Sequence, residues 1–241
     1  MKKSYIQDCI NKYHLGGKCE SVVWDVKNGK VNIDFATDTK DTVGNISFDL
    51  EINNCDLPIS FTSSLLRLLA ITDENVMLEL ITHETGLPTK LKISDNKFDL
   101  NYHLGELDII EKVPSVNEID YDFTWDLDDE FITNFVKAHN ALEKTPQFTL
   151  NTTTTPQGED VVELVLGERT QHANKVKFTE LVKHTNTLNS ELLPFSATVF
   201  REILIANRGC NGKIQVSTKG LAKIEFETEG CKVEYFMVRM Q

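Results

Sequence analysis

Several features that mark common enzymes and membrane proteins are missing from this chain of 241 residues. The sequence has no Walker A loop and no GxGxxG, HExxH or GxSxG motif, and its 6 histidines form no i, i+4 pair. No apolar run approaches the roughly 18 residues of a membrane span. We therefore expect no catalytic residue, no cofactor, no metal site and no membrane partner.

Cysteine is sparse as well. The 5 cysteines are odd in number and form no CxxC pair, which argues against a disulfide scaffold or a zinc ribbon. The stretch MKKSYIQDCINKYHLGG lacks the apolar core of a secretory signal, because Gln7, Asp8 and Asn11 interrupt it. These observations predict a protein of the reducing cytoplasm.

Positive charge is in the minority. The chain has 25 Lys and Arg against 37 Asp and Glu, so its formal net charge is -12 at pH 7. This balance argues against a surface covered with DNA-binding charge, but it leaves room for a cationic face on an acidic body. With 40% hydrophobic residues the composition is that of a soluble globular protein. At about 100–200 residues per domain, one or two domains are expected.

The chain contains the same unit twice. Residues 61–69 align without gaps on 195–203, with Phe61 over Phe195 and Arg67 over Arg201. Weaker matches on both sides of this segment keep nearly the same offset and the same order along the chain. Because a chance similarity would not keep that order, we interpret the sequence as a tandem duplication.

Each copy reads as a helix, three strands, a second helix and three more strands, which is an α+β pattern. In the first copy, Ser4 is the predicted N-cap of the first helix. Asn28-Gly29 predicts a two-residue hairpin, and Thr62 or Ser63 begins the second helix. In the second copy we predict helices at 128–144 and 197–207.

Two polar segments complete the predicted organisation. Residues 111–120, EKVPSVNEID, are a surface connector between a first domain at 1–110 and a second at 121–241. Residues 151–160, NTTTTPQGED, are interpreted as a long hairpin loop because a strand is predicted on either side. The acidic run at 126–130 is interpreted as a helix cap, because consecutive residues on one turn do not converge on one ion.

Much of the positive charge falls on or beside the predicted helices. Lys137 and Lys144 lie two turns apart on the polar side of one helix, and Arg201 and Arg208 repeat that spacing on another. Arg67 is the equivalent of Arg201 in the first copy. The alternative interpretation is that these are ordinary side chains of a solvated helix surface.

A duplicated helix–strand unit, acidic overall with basic helices, resembles the DNA sliding clamps. GKIQVSTKGLAKIEFE at 212–227, followed by YFMV at 235–238, is similar to the closing strands of that family, and LKISD at 91–95 to the first domain of tailed-phage clamps. The likeness covers nearly the whole chain. Its length fits two-domain clamps that close as trimers, and favours a viral member, whose location would be the host cytoplasm.

The resemblance implies two tandem copies of the clamp fold, with helices on one face of antiparallel sheets, and a ring of three subunits. Such a homotrimer holds duplex DNA without regard to sequence, and tethers the replicative polymerase after a clamp loader has acted. Its subunits would pair strand 97–104 of one with strand 174–182 of the next.

The resemblance also implies two sets of binding residues. The positions expected to contact DNA are basic and lie by the helices: Lys12, Arg67, Lys137, Lys144, Arg201 and Arg208, with Lys2, Lys3 and Lys18 as weaker candidates. The positions expected to form an apolar pocket for partner peptides are Val43, Ile46, Val116, Ile119, Ala222, Phe236 and Val238. For Ile46 and Phe236, a plain core role is an equal alternative.

Two other classes of function stay open. A phage structural protein of the tail or capsid would also be acidic, rich in strands and trimeric, but has no need of repeated basic helices. A hydrolase or a lectin-like domain would show a concave pocket with convergent polar groups.

Overall fold

The computed structural model describes residues 1–84, 86–117, 119–142, 145–167, 174–184 and 193–240. They form two compact units. Unit 1 comprises Met1–Asp38, Gly44–Pro114 and Glu229–Val233, and unit 2 comprises Thr39–Val43, Ser115–Thr228 and Glu234–Gln241. The domain limits of 1–110 and 121–241 stay predictions from the sequence.

Unit 1 has two helices, which lie on one side of an antiparallel sheet. The helices are α1 (Lys3–His14) and α2 (Thr62–Ala70); the strands are β1 (Val22–Lys27), β2 (Lys30–Ala36), β3 (Thr42–Asp49), β4 (Cys55–Ile59), β5 (Met77–Thr82), β6 (Pro88–Ser94) and β7 (Asp99–His103). Within unit 1 the sheets run in the orders β3-β2-β1-β4 and β5-β6-β7. The prediction of three strands before the second helix was wrong, because β4 is a fourth. Its five residues include a proline, which is typical of edge strands and hides the strand pattern.

The core of unit 1 forms where α1 meets the sheet. Tyr13 is fully buried, lies 6.4 Å from the ring of Phe35, and accepts a hydrogen bond of 3.2 Å from Nε1 of Trp24. Side chains of β1, β2 and β3 alternate between buried and accessible, as expected for a sheet with one face against helices. The α+β prediction is therefore confirmed.

The Asn28-Gly29 hairpin is confirmed. Lys27 pairs with Lys30 across the turn, and both central residues have positive φ angles, 54° at Asn28 and 75° at Gly29. This is the left-handed geometry that a tight turn between twisted strands requires.

The first helix does not begin as predicted. It starts at Lys3 with Lys2 at the N-cap position and no side-chain cap, and Ser4 Oγ donates to the carboxylate of Glu74 instead. Helix α2 also lacks a cap from its own N-cap residue, Phe61. Its cap comes from a distant residue: Glu20 Oε2 accepts from the backbone N–H of Ser63 at 2.9 Å. A carboxylate at this end of a helix satisfies a free N–H and complements the dipole.

Glu20 should make unit 1 sensitive to acid. Burial raises the pKa of Glu20, but hydrogen bonds from Ser63 and His14 outweigh it, so the pKa lies below the ordinary 4.5. The stabilisation that ionised Glu20 gives to unit 1 is therefore complete above the ordinary pKa of 4.5, and it is lost as the pH falls through the lowered pKa. We expect Glu20→Gln to reduce the free energy of unfolding by about 1 kcal/mol at neutral pH. Urea unfolding over a pH series checks this, and a difference that grew towards acid pH would contradict it.

Unit 2 repeats the order of elements. Its helices are α3 (Asp129–Ala141) and α4 (Ala197–Ala206); its strands are β8 (Phe123–Leu127), β9 (Gln147–Thr154), β10 (Asp160–Gly167), β11 (Lys175–Leu181), β12 (Lys183–His184), β13 (Leu193–Ser196), β14 (Gly212–Ser217), β15 (Leu221–Thr228) and the part of β16 (Cys231–Val238) that starts at Glu234. The sequence analysis missed β8, β12 and β13. One sheet of the unit runs β11-β10-β9-β13, and β8 pairs with β14, which pairs with β15.

Two local predictions for unit 2 are confirmed. Asp128 is the N-cap of α3, and its carboxylate accepts from the N–H of Phe131 at 2.8 Å. Residues 151–160 lie within a hairpin, although β9 extends to Thr154 and β10 starts at Asp160, so the loop is shorter than predicted. Helix α3 ends at Ala141, three residues before the predicted end.

A cluster of phenylalanines forms the core of unit 2. Phe135 of α3 is fully buried, and its ring centroid lies 4.8 Å from that of Phe200 in α4 and 5.4 Å from that of Phe148 in β9. Phe178 of β11 packs on the same ring at 6.2 Å. Aromatic packing thus holds both helices of the unit on the sheet that contains β9 and β11.

Candidate functional site

Helices α3 and α4 and the turn after α4 carry three of the predicted basic residues. Lys137 and Arg208 are exposed, and Arg201 is partly exposed. Arg201 Nε donates to Oδ1 of Asn140 at 3.1 Å, so this side chain reaches the turn of α3 that follows Lys137. We call Lys137 and Arg201 the cationic helix face of unit 2. Arg208 lies beyond the end of α4 at Ala206, in a turn where the N–H of Gly209 donates to Oδ1 of Asp129 at 3.0 Å.

These three charges are not equally available. Arg201 is ion-paired with its neighbour Glu202, which offsets part of its charge. Burial and then the nearby Arg201 lower the pKa of His139, so this histidine adds no positive charge at neutral pH. Lys137 therefore supplies most of the positive charge of the helix face, while Arg208 adds an exposed charge in the turn after α4.

Unit 1 presents one exposed basic side chain of the predicted main set. Arg67 of α2 is exposed, and its Nε donates to the backbone oxygen of Ser63 at 3.2 Å. The expectation for Lys12 is corrected: Lys12 is only 1% exposed and its ammonium is ion-paired with Asp8 one turn earlier. A buried, neutralised lysine does not contact a phosphate.

The remaining basic candidates differ in their exposure. Lys2 and Lys18 are exposed, whereas Lys3 is partly buried and donates to the backbone oxygen of Thr72. Lys144 lies outside the described residues.

The two predicted interface strands are β7 and β11, and both lie at the edge of a sheet. Among the described residues, β7 pairs with β6 alone in its three-stranded sheet, and β11 pairs with β10 alone in its four-stranded sheet. An edge strand leaves backbone N–H and C=O groups available for another strand. The outer strand β11 also exposes Leu181, which is 65% accessible.

Unit 2 contains a groove with a volume of about 660 Å³. Its lining comes from residues 116–117 and 119–121, from the turn before β15, and from the accessible faces of β15 and β16: Val116, Asn117, Ile119, Asp120, Tyr121, Lys219, Lys223, Glu234 and Phe236. Lys223 Nζ lies 5.8 Å from the centre of the Phe236 ring, and 2.7 Å and 3.5 Å from the carboxylates of Glu225 and Glu234. These contacts hold the lysine over one wall of the groove.

The groove is lined by apolar side chains and by charged groups of both signs. Burial lowers the pKa of Lys223, but hydrogen bonds and charge from Glu225 and Glu234 outweigh it, so the pKa is raised and the side chain stays charged. Burial raises the pKa of Tyr121, so its hydroxyl is uncharged at neutral pH. The groove can thus accept an apolar side chain while offering hydrogen bonds to a backbone.

Three of the seven residues predicted for a peptide pocket line this groove, namely Val116, Ile119 and Phe236. Val43 is partly buried and Val238 is 48% exposed, but neither lines it. Ile46 and Ala222 are corrected: they are 1% and 2% exposed, so their side chains belong to the core and cannot contact a docked peptide.

Other lining residues were missed by the sequence analysis. Lys223 and Glu234 are such cases, and their signal was available: each alternates along its strand with buried neighbours, such as Ile224 and Tyr235. The period of two therefore places them on the accessible face. Lys219 lies in a turn, where no period indicates its direction.

Two further observations concern the described part of the chain. It contains no group of three or more His, Cys, Asp or Glu side chains placed to hold a metal ion. None of its helices combines the length and the apolar composition needed to cross a membrane.

Among the comparisons with known proteins, the one with solved structures found matches. No protein-family model matches the sequence, and no curated protein matches it. Among solved structures, proliferating cellular nuclear antigen (PCNA) from Entamoeba histolytica superimposes with a TM-score of 0.76 at 13% identity, covering 100% of this chain and 97% of that one.

Two further solved structures agree. PCNA of A. fulgidus, solved with the C-terminal region of FEN-1 bound, gives a TM-score of 0.74 at 13% identity over 100% of this chain and 97% of the other. The PCNA2–PCNA3 complex of Sulfolobus tokodaii gives 0.71 at 9% identity, over 99% and 97%. The chain therefore has the sliding-clamp fold over its whole length.

Proposed function

We propose that this protein is a sliding clamp, a non-enzymatic ring that encircles duplex DNA and tethers the replicative polymerase. The observation that carries the proposal is the full-length match to the clamp fold, at a TM-score of 0.76 over 100% of the chain. A fold of this kind hosts a function through its surfaces, so the helices, strand edges and groove provide the remaining support.

DNA contact is assigned to the exposed basic side chains of the helices. Arg67 of α2, Lys137 of α3 and Arg208 in the turn after α4 are accessible, and Arg201 of α4 is partly exposed. A few such cations attract phosphates without reading sequence, and the attraction weakens as salt rises. A formal charge of -12 on the whole chain repels DNA from other surfaces.

Ring closure is assigned to the free edges of β7 and β11. Pairing β7 of one subunit with β11 of the next would satisfy both edges and remove an aggregation hazard. The expected assembly is a homotrimer, with a mass in solution of about three times 27.3 kDa. In line with the sequence analysis, we further propose that the protein is viral and lies in the host cytoplasm.

Polymerase and loader peptides are assigned to the groove of unit 2. Ile119 and Phe236 offer apolar contacts, while Tyr121 and Lys219 lie beside them with polar groups. An apolar anchor with a few hydrogen bonds is the usual composition of a peptide site.

A charge placed in the groove should separate tethering from ring formation. We expect Ile119→Asp to weaken binding of the cognate polymerase about ten-fold or more, because it removes an apolar contact and buries a carboxylate. Primer extension on a long template measures this as shorter products, with the mass in solution unchanged. Val238→Asp is the matched control, since Val238 is accessible but does not line the groove. Equal products from both variants would contradict the assignment, and a monomeric wild-type protein would contradict the ring.

A further inference from the structure

We propose that a second groove, in unit 1, binds a cationic peptide segment of a protein partner that carries an apolar anchor. This acidic groove has a volume of about 560 Å³. It lies between the accessible faces of β1 and β2 and the segment 107–113. The proposal does not rest on the assigned clamp function, because it follows from the lining of this groove alone.

The strand register builds one wall of the acidic groove. Asp25 of β1 lies opposite Asn32 of β2, and both strands alternate between buried and accessible residues. Val23, Asp25, Asn32 and Asp34 consequently share the accessible face of the sheet, where they line the groove.

The charge of the lining is strongly negative. Four carboxylates line the groove, those of Asp25, Asp34, Asp108 and Glu111, against the single ammonium of Lys112. The groove of unit 2 is balanced by comparison, with two carboxylates and two lysines among its lining residues. The two grooves therefore favour different ligands, and the acidic groove repels nucleic acid while attracting cations.

The charge of Asp25 is partly balanced within the chain. Its Oδ2 lies 2.7 Å from Nζ of Lys27, but its Oδ1 is buried and has no hydrogen-bond donor among the described residues. Asp56 of β4 lies directly opposite Asp25 in the strand register, so two carboxylates face each other. Like charges at such a position repel each other, but the ammonium of Lys27 interacts with both carboxylates and offsets part of this repulsion. The negative charge that the groove offers to a ligand therefore rests mainly on Asp34 and Asp108.

Apolar side chains of the acidic groove select a peptide over a bare cation. Leu107 is 44% exposed, and Val23, Ile110 and Val113 are partly exposed around the same cavity. A metal ion gains nothing from these side chains and a polyamine offers only short methylene segments, whereas an aliphatic residue between lysines would bury more of their apolar surface. The expected occupant is therefore an extended segment in which basic and aliphatic residues alternate.

The probe is a short fluorescein-labelled peptide in which lysine and leucine alternate, with binding followed by fluorescence anisotropy on the full chain. We expect Asp34→Asn with Asp108→Asn to weaken its binding about five- to ten-fold. Both residues are exposed, so the double variant should fold. Glu159→Gln with Glu227→Gln is the matched control, because it removes the same charge from exposed positions in unit 2.

A second variant tests the apolar contact. Leu107→Ser should weaken binding of the lysine–leucine peptide. It should leave binding of a lysine–serine peptide of the same length unchanged. If the two double variants weakened peptide binding equally, the peptide would be attracted by the net charge of the chain and not by the acidic groove. That result would overturn the proposal. A Leu107→Ser variant that bound both peptides as tightly as the wild type does would also overturn the proposal.

Discussion

Replacing Phe135 by alanine is expected to lower the free energy of unfolding of unit 2 by about 4 kcal/mol. The ring is fully buried and packs on Phe148, Phe178 and Phe200, so its removal leaves a cavity at the point where α3, α4 and the sheet meet. Neighbouring aromatic rings are too rigid to fill such a cavity, which places the effect towards the upper end for buried side chains.

The two tryptophans make this measurement specific. Trp24 lies in unit 1 and Trp125 in unit 2, where its ring is 6.3 Å from that of Phe131. In a Trp24→Phe background, fluorescence during urea unfolding therefore follows unit 2, which matters because two units need not unfold together. Val238→Ala, at a position 48% exposed, should change the result by less than about 0.5 kcal/mol. An equally small effect of Phe135→Ala would contradict the proposed core.

Reversing the exposed basic residues of the helices and of the turn after α4 should have the largest effect on function. The variant carries Arg67→Glu, Lys137→Glu and Arg208→Glu, and so replaces attraction to phosphates by repulsion. We expect the amount of protein retained on duplex DNA to fall about ten-fold or more. The dependence of retention on salt should flatten by about 0.9 for each phosphate that the variant no longer neutralises. All three side chains are exposed, so the trimer and its stability should persist.

A triple variant with the same change in charge provides the control. Lys27→Glu, Lys30→Glu and Lys213→Glu alter exposed positions on strands. If the location of the charge matters, this variant should keep most of its DNA retention. Equal losses from both variants would indicate that net charge alone is responsible, and would refute the assignment of the helices.

Local rules of sequence predicted the elements that depend on neighbouring residues. The Asn28-Gly29 turn and the Asp128 cap need only a few adjacent positions, and both are present in the structure. The period of burial likewise placed Phe135 inside and Lys137 outside on the same helix. The fold class was therefore accessible from the sequence.

Features that depend on distant residues were not predicted. Glu20 caps α2 from 43 positions away, and no local pattern indicates such a partner. Lys12 lies on α1, whose other polar residues suggest a surface exposed to solvent, yet tertiary packing buries Lys12 beside Asp8. The acidic groove combines β1, β2 and 107–113, which are adjacent only after folding. Charge and pattern of the sequence alone therefore could not define the binding sites.

The claim that the protein encircles DNA can be tested without a loader. Fluorescent protein is incubated with linear duplex DNA fixed at one end to a bead, and the other end is then either capped with a bulky protein block or left open. A closed ring threaded over the free end should stay on the capped DNA through a high-salt wash and slide off the open DNA. Equal retention on both, or loss from both, would contradict the ring.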